Sequence, residues 1–278
     1  SDATPQGLYW GGMVRYDSLA QIFKVMVLLA ASVTSLISID VKGVGTKGEF
    51  YIVLIVAALG MTLMAGAADL IMAFLALETT SIPLYILAGF KRGDNKSAES
   101  GMKYFLFGSF ASAIMLYGLS LLYGFTGQTG LYQLAQYLGT EQFASNPVPA
   151  LAALVMVVVG FGFKISAAPF HFWTPDVYDG APTVFTSFMA TIVKAAVFVA
   201  FIRLFDEAFG NLHHKWKLTI ALITVATLFI GNITAVFQQS VKRMLAYSSI
   251  SQAGFMLLAI YSMNTDGKEG LLLYVLAY

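Results

Sequence analysis

Residues Gly160–Phe201 read GFGFKISAAPFHFWTPDVYDGAPTVFTSFMATIVKAAVFVAF. Two lysines, Lys164 and Lys194, lie here among apolar residues, with Gly160, Gly162, Pro169, Pro175 and Pro182 around the first of them. Each proline removes a helical hydrogen bond and restricts the residue before it, so one uninterrupted helix does not cross this segment. Beyond Pro182 the chain is almost continuously apolar from Thr183 to Leu204, which meets the ~20 residues a helix needs to span hydrocarbon. Backbone broken at membrane depth is tolerated where it is buried in protein or lines a wet cavity, and it favours ion sites there.

The same apolar character holds through most of the chain. Of its 278 residues, 58% are hydrophobic and 11% charged, with a mean hydropathy of +0.75, whereas a soluble domain carries roughly 25% charged residues. Further candidate spans are Ser18–Ile39, Phe50–Ala67, Asp69–Phe90, Tyr104–Phe125, Ala150–Ala168, Leu218–Phe237 and Met244–Met263, with another beginning near Gly270. The runs are continuous, unlike the ~10-residue alternating segments of a barrel. The expected fold is therefore all-α, a polytopic transmembrane helix bundle with one Gly/Pro-broken helix. Residues 1–17 read as an extramembrane approach segment and 18–278 as the transmembrane domain. Ser1–Gly12 lacks the basic start of a signal peptide. Leu271–Tyr278 stops inside an apolar run, so the chain reads as a fragment truncated at both ends.

A net charge of +1 supplies no basic face for nucleic acid. Zero cysteines exclude thiolate-held iron–sulfur clusters and disulfides within this chain. Basic residues outside the spans divide unevenly. Lys42, Lys47, Lys91, Arg92, Lys96, Lys103, Lys242 and Arg243 fall on one side, and Arg15, Arg203, Lys215, Lys217 and Lys268 on the other. The richer side is expected to be cytoplasmic. The longest loop, Thr126–Val148, contains no Lys or Arg.

Three ionisable residues then lie where lipid should forbid them. Glu78 is near the middle of Asp69–Phe90. A carboxylate at that depth is costly unless paired, hydrated or protonated, and such residues usually mark ion or proton paths; the plainer reading is a structural ion pair. Pro83, five residues on, frees a backbone carbonyl and can bend the helix. Lys164 is either an ion-site residue at the break or a lysine snorkelling from a helix end. Lys194 is about eleven residues from either end of its span, or ~16 Å, which is far for snorkelling. A buried lysine whose charge depends on a nearby carboxylate is what a proton relay needs. Lys24 opens its span and reads as interfacial. His171 and Asp176, close to the break, are accessory candidates, although a histidine between Phe170 and Trp173 also suits an interfacial belt. His213 and His214 read as solvated loop residues. No phosphate-binding loop, nucleophile elbow or metal-ligand spacing is present.

Those joined motifs resemble the antiporter-like membrane subunits of respiratory complex I, NADH–quinone oxidoreductase. The resemblance rests on Gly160–Phe201, on Leu77–Glu78 with SIPLYIL, and on SVKRMLAYSSISQAGFMLL, and it extends from Arg15 onward. TPDVYDGAP is closer to the N branch of that family than to the sister L and M branches. The resemblance implies an antiporter-like fold of two inverted five-helix repeats, each with a broken helix. Carried over by motif, Glu78, Lys164 and Lys194 are the proton-transfer residues. Separation of a Glu78–Lys164 pair would drive a proton toward Lys194. The resemblance also implies partners: other membrane subunits of the complex, including a sister antiporter-like subunit, in a bacterial inner membrane. NADH, flavin (FMN), iron–sulfur clusters and quinone are implied to belong to those partner subunits, with no cofactor or metal in this chain. The competing expectation is a subunit of an Mrp-type cation/proton antiporter, which shares the fold and its buried charges.

Overall fold

The structure is a computed structural model that describes residues 7–140, 143 and 147–278. The chain divides into two compact units. One joins the chain up to Gly108 with Asp176–Ala200, and the other joins Ser109–Pro175 with Phe201–Tyr278.

In the first unit, strands β1 (Gly7–Tyr9) and β2 (Val14–Tyr16) form an antiparallel hairpin. Its backbone bonds the turn at residues 66–69, Arg15 N–H to Gly66 O at 2.7 Å and Ala68 N–H to Met13 O at 2.9 Å. Gly66 is required there, since a Cβ would come 2.9 Å from the Arg15 carbonyl. Helix α1 (Ser18–Ser38) begins at Asp17, whose carboxylate accepts the Ala20 N–H at 2.8 Å.

Helices α2 (Gly48–Ala65) and α3 (Leu70–Ala88) make the tight hairpin expected from the short Gly66–Asp69 connection. Asp69, ionisable and nearly buried, is the N-cap of α3 and accepts from the N–H groups of Ile71 and Met72. That bond satisfies donors which every helix start leaves open, and it accounts for a nearly buried acid at the turn without invoking transport. Deeper in the hairpin, a Cβ on Gly60 would lie 2.5 Å from Thr80 N and 2.8 Å from the Thr79 carbonyl carbon. The two backbones therefore approach closely beside Glu78, as small residues permit in membrane bundles.

Helix α4 (Asn95–Thr126) starts nine residues before the expected Tyr104. Asp94 caps it, accepting from Lys96 N–H at 3.0 Å. Its polar first turns face protein: Ser97 Oγ donates to Ala88 O at 3.0 Å and Ser100 Oγ to Val177 O at 2.9 Å. Lys96 and Lys103, expected in a loop, are therefore helical.

In the second unit, the expected loop Thr126–Val148 contains a short amphipathic helix, α5 (Leu131–Leu138), that buries Leu131, Leu134 and Leu138. Helix α6 (Val148–Lys164) stops four residues before the expected Ala168. It crosses α4 closely, because Gly118 packs on Ala153 O and Gly160 on Met115. A short helix α7 (Thr174–Gly180) follows the break, and from Asp176 on it belongs to the first unit. Helix α8 spans Thr183–Ala208, with its residues up to Ala200 in the first unit, and has π-helical turns at Met189–Val193 and Leu204–Ala208.

Helices α9 (His213–Val236) and α10 (Val241–Ser262) pack through Gly231 on Ser251 and Gly254 on Leu228. A last helix, α11 (Thr265–Ala277), begins five residues before the expected Gly270. His213 is helical and half-buried, its Nε2 bonded to Tyr261 O at 2.9 Å, which corrects the solvated reading.

Among the described residues, seven helices are long and apolar enough to cross a membrane, while α6 has 17 residues. Leu29, Ile55, Leu75, Leu222 and Phe229 are among the exposed apolar side chains. In water such a surface is an aggregation hazard; in lipid it is what an outer face requires.

Candidate functional site

The broken helix is built by its own sequence. At the end of α6, Ser166 N–H bonds Phe163 O at 3.1 Å and Ala167 N–H bonds Gly162 O at 2.8 Å. This is the Schellman pattern, with Ser166 in the left-handed position at φ 63°. Glycine normally takes that place because a Cβ disfavours it. Here the surroundings hold a buried serine in it. Gly162, three residues before Ile165, lets the chain fold back: a Cβ there would sit 2.8 Å from the Phe170 ring.

Two further bonds fix the returning segment. Trp173 Nε1 donates to Phe163 O at 3.1 Å, with the Trp173 and Phe163 rings stacked at 5.0 Å. Ala168 N–H donates to Thr227 Oγ1 on α9 at 2.9 Å.

Lys164 occupies the last turn of α6 and is 6% exposed. Free carbonyls and the negative end of the helix dipole favour a cation at that position. Its side chain is enclosed by protein, with Nζ 5.7 Å from the Phe163 ring. Beyond it the polar atoms Ser166 Oγ, His171 Nδ1 and Thr174 Oγ1 are buried and have no hydrogen-bond partner. Native proteins satisfy nearly all such atoms, often through ordered water. These three buried polar atoms lie within ten residues of Lys164 in the chain.

Lys194 is 1% exposed and directly follows the π-helical turn Met189–Val193 of α8. Single π turns inside α-helices recur at functional sites because the extra residue reorients the side chains that follow. Its Nζ lies 5.9 Å from the ring centroid of Tyr178 on α7.

Glu78 is half-buried on α3. Tyr104 lies within electrostatic reach of Glu78, Tyr85 and Tyr178. Glu78 and Lys194 thus belong to one compact unit, and Lys164 belongs to the other. Lys24 is half-exposed with its Nζ 5.7 Å from the Tyr16 ring.

Asp176 accepts from Lys103 Nζ at 2.6 Å, and the same ammonium bonds Glu99 at 2.6 Å. Asp176 therefore ties α7 to α4. Arg203, counted from sequence among the loop cations, is 4% exposed inside α8 and pairs with Glu207 at 3.3 Å. Removing it from the poorer side of the charge inventory leaves the bias in the same direction. Sequence reasoning also passed over Tyr85, Tyr104, Tyr178 and Thr227. One signal was available for Tyr85, which follows Glu78 by seven residues and so shares its helix face.

Residues 67–278 match the family model described as the NADH:quinone oxidoreductase/Mrp antiporter transmembrane family. The chain belongs to that family. Among curated relatives, NADH-quinone oxidoreductase subunit N of Desulforamulus reducens is 43% identical over 276 residues, covering 98% of this chain and 57% of the relative. Subunit N of Trichlorobacter lovleyi is 45% identical over 264 residues, covering 94% of this chain and 54% of the relative. The chain spans about half the length of the curated relatives it matches. Among solved structures, a chain of respiratory complex I from Thermus thermophilus is 40% identical with a TM-score of 0.78, over 96% of this chain and 56% of that one. A chain of the Mrp complex from a Dietzia species is 21% identical with a TM-score of 0.83, over 95% of this chain and 48% of that one, and shares the fold. As a member of this antiporter family the chain is an integral membrane protein with the family's helix-bundle architecture.

Proposed function

We propose that this chain is part of the proton-translocating membrane arm of an NADH–quinone oxidoreductase, with Glu78, Lys164 and Lys194 as its proton carriers. The observation that carries the reading is Lys194, 1% exposed in a 26-residue apolar helix and directly after a π-helical turn. A lysine kept there against the cost of burial is a functional residue by default. The enclosed Lys164 at the broken helix, followed in the chain by buried polar atoms of Ser166, His171 and Thr174, supports a second carrier in a polar niche. His171 and Thr174 supply polar atoms to that niche, and Asp176 holds α7 in place.

On this reading the electrons of NADH oxidation travel elsewhere. NADH, FMN, iron–sulfur clusters and quinone belong to partner subunits, and this chain packs beside other membrane subunits, a sister antiporter-like subunit among them. The membrane is the bacterial inner membrane, with the Lys/Arg-rich ends of α2, α3 and α10 on the cytoplasmic side. Kinship to subunit N at 43–45% identity favours this assignment. An Mrp-type cation/proton antiporter is the second reading, favoured by the shared fold.

The test is to introduce Glu78→Gln, Lys164→Ala and Lys194→Ala separately into the native complex and reconstitute it in sealed vesicles. Each variant is expected to retain assembly and to lose most NADH- or quinone-coupled proton pumping. Normal pumping by Lys194→Ala and Glu78→Gln together would sink the carrier assignment. Isolation of the native protein with no redox partner would transfer it to the antiporter reading.

A further inference from the structure

Tyr85 on α3, Tyr104 on α4 and Tyr178 on α7 are buried together inside the first unit, at 6%, 2% and 2% exposure. Tyr85 and Tyr104 meet edge to face, with centroids 4.8 Å apart and planes at 86°. Tyr178 presents its ring to Lys194 at 5.9 Å. Tyr104 is within electrostatic reach of both other phenols and of Glu78. Tyr85 and Tyr104 thus touch, and Tyr178 faces Lys194, in the unit that also holds Glu78.

The seats of these rings are specifically built. Gly108 has no side chain where the hydroxyl end of Tyr85 lies. The Ser100 bond to Val177 O fixes α7 on α4 one residue before Tyr178. Gly180 packs against the Lys96 carbonyl at the other end of the same contact.

Buried aromatic rings usually serve as filler, a role phenylalanine performs without a hydroxyl to satisfy. Three buried phenols in the unit that holds Glu78 and Lys194 are different in chemistry. A phenol donates one hydrogen bond and accepts others, so it can join a carboxylate to a second hydroxyl. The face of a phenol ring attracts an ammonium, most strongly where water is excluded.

We propose that Tyr178, Tyr104 and Tyr85 are positioning residues that couple Glu78 to Lys194. Tyr178 holds the Lys194 ammonium against its ring, and the hydroxyls of Tyr104 and Tyr85 carry the polar connection back to Glu78. The inference rests on the reading of Glu78 and Lys194 as proton carriers.

The experiment uses the native complex in sealed vesicles carrying Tyr178→Leu, Tyr178→Phe or Tyr104→Phe, with Lys194→Ala alongside. Protons pumped per electron are measured from neutral to alkaline pH. Tyr178→Leu is expected to lower pumping about tenfold and to move the alkaline limb of the profile to lower pH, because the ring that favours the ammonium is gone. Tyr178→Phe keeps the ring and is expected to restore most of the pumping. Tyr104→Phe keeps its shape and is expected to shift the profile at unchanged complex recovery. If Tyr178→Leu does not assemble, Tyr104→Phe decides. Wild-type pumping and pH profile in the tyrosine variants, with Lys194→Ala inactive, would overturn this proposal alone. Wild-type pumping in Lys194→Ala would overturn the carrier assignment on which it rests.

Discussion

Thr227 Oγ1 accepts the backbone N–H of Ala168 at 2.9 Å, a bond joining residues 59 positions apart in the chain. It satisfies a buried donor that the break in the helix would otherwise leave open, and Thr227 itself is fully buried. Thr227→Val keeps the volume and removes the acceptor. An abandoned buried donor costs about 1–3 kcal/mol, so the variant should unfold at lower temperature in detergent. Thr224→Val is the comparison, since its hydroxyl only bonds Ile220 O within its own helix and its loss should cost less. Equal thermal shifts in the two variants would mean that the Ala168 bond contributes nothing.

The α2–α3 hairpin depends on Gly60, where a Cβ would meet backbone of the facing helix at 2.5 Å. Backbone cannot swing aside as a side chain does, so Gly60→Ala is expected to destabilise by about 1–3 kcal/mol. Gly124 on α4 is exposed with nothing within 4 Å of a built Cβ. There alanine should be neutral or stabilising by up to ~1 kcal/mol through helix propensity. Thermal unfolding of both variants checks the contrast, which fails if Gly124→Ala is the worse of the two.

Asp69 gives a similar contrast between capping and transport. Its carboxylate accepts from Ile71 and Met72, so Asp69→Asn, which keeps an accepting oxygen, should preserve stability. Asp69→Ala should lose about 0.5–2 kcal/mol. Under the proposed function both variants are expected to pump as the parent does once assembled; a pumping defect in Asp69→Asn at full stability would instead make this acid a carrier.

Most helices were legible in the sequence because their apolar runs are long and their ends are punctuated. Ser18–Ser38 and Leu70–Ala88 lie within two residues of expectation. Hydropathy missed the start of α4 because Asn95–Lys103 is polar yet packs on protein. The Asp94 cap was the available signal. It missed α5 because Gly and Gln dominate the flanks, although Leu131, Leu134 and Leu138 fall on one face. Lys164 and Lys194 stood out as charges in apolar runs. Tyr104 and Tyr178 did not, since a tyrosine carries no anomaly until its neighbours are known. Nor did the π-helical turn before Lys194, which composition does not encode.

Arg203 provides the sharpest energetic test outside the proposed proton path. It is 4% exposed and its guanidinium pairs with Glu207 at 3.3 Å, one helical turn away. Glu207→Ala takes a carboxylate from a buried arginine, and breaking one side of a buried pair costs about 3–5 kcal/mol. The pair of Lys96 with Asp179, at 3.6 Å, has a lysine side chain that is 76% exposed, and exposed pairs contribute about 0–1 kcal/mol. Lys96→Ala should therefore leave thermal stability almost unchanged while Glu207→Ala lowers it strongly. The double variant Arg203→Met with Glu207→Leu should recover much of that loss, since well-packed apolar residues often replace a buried pair at little cost. If Glu207→Ala proves as mild as Lys96→Ala, the buried arginine does not depend on Glu207.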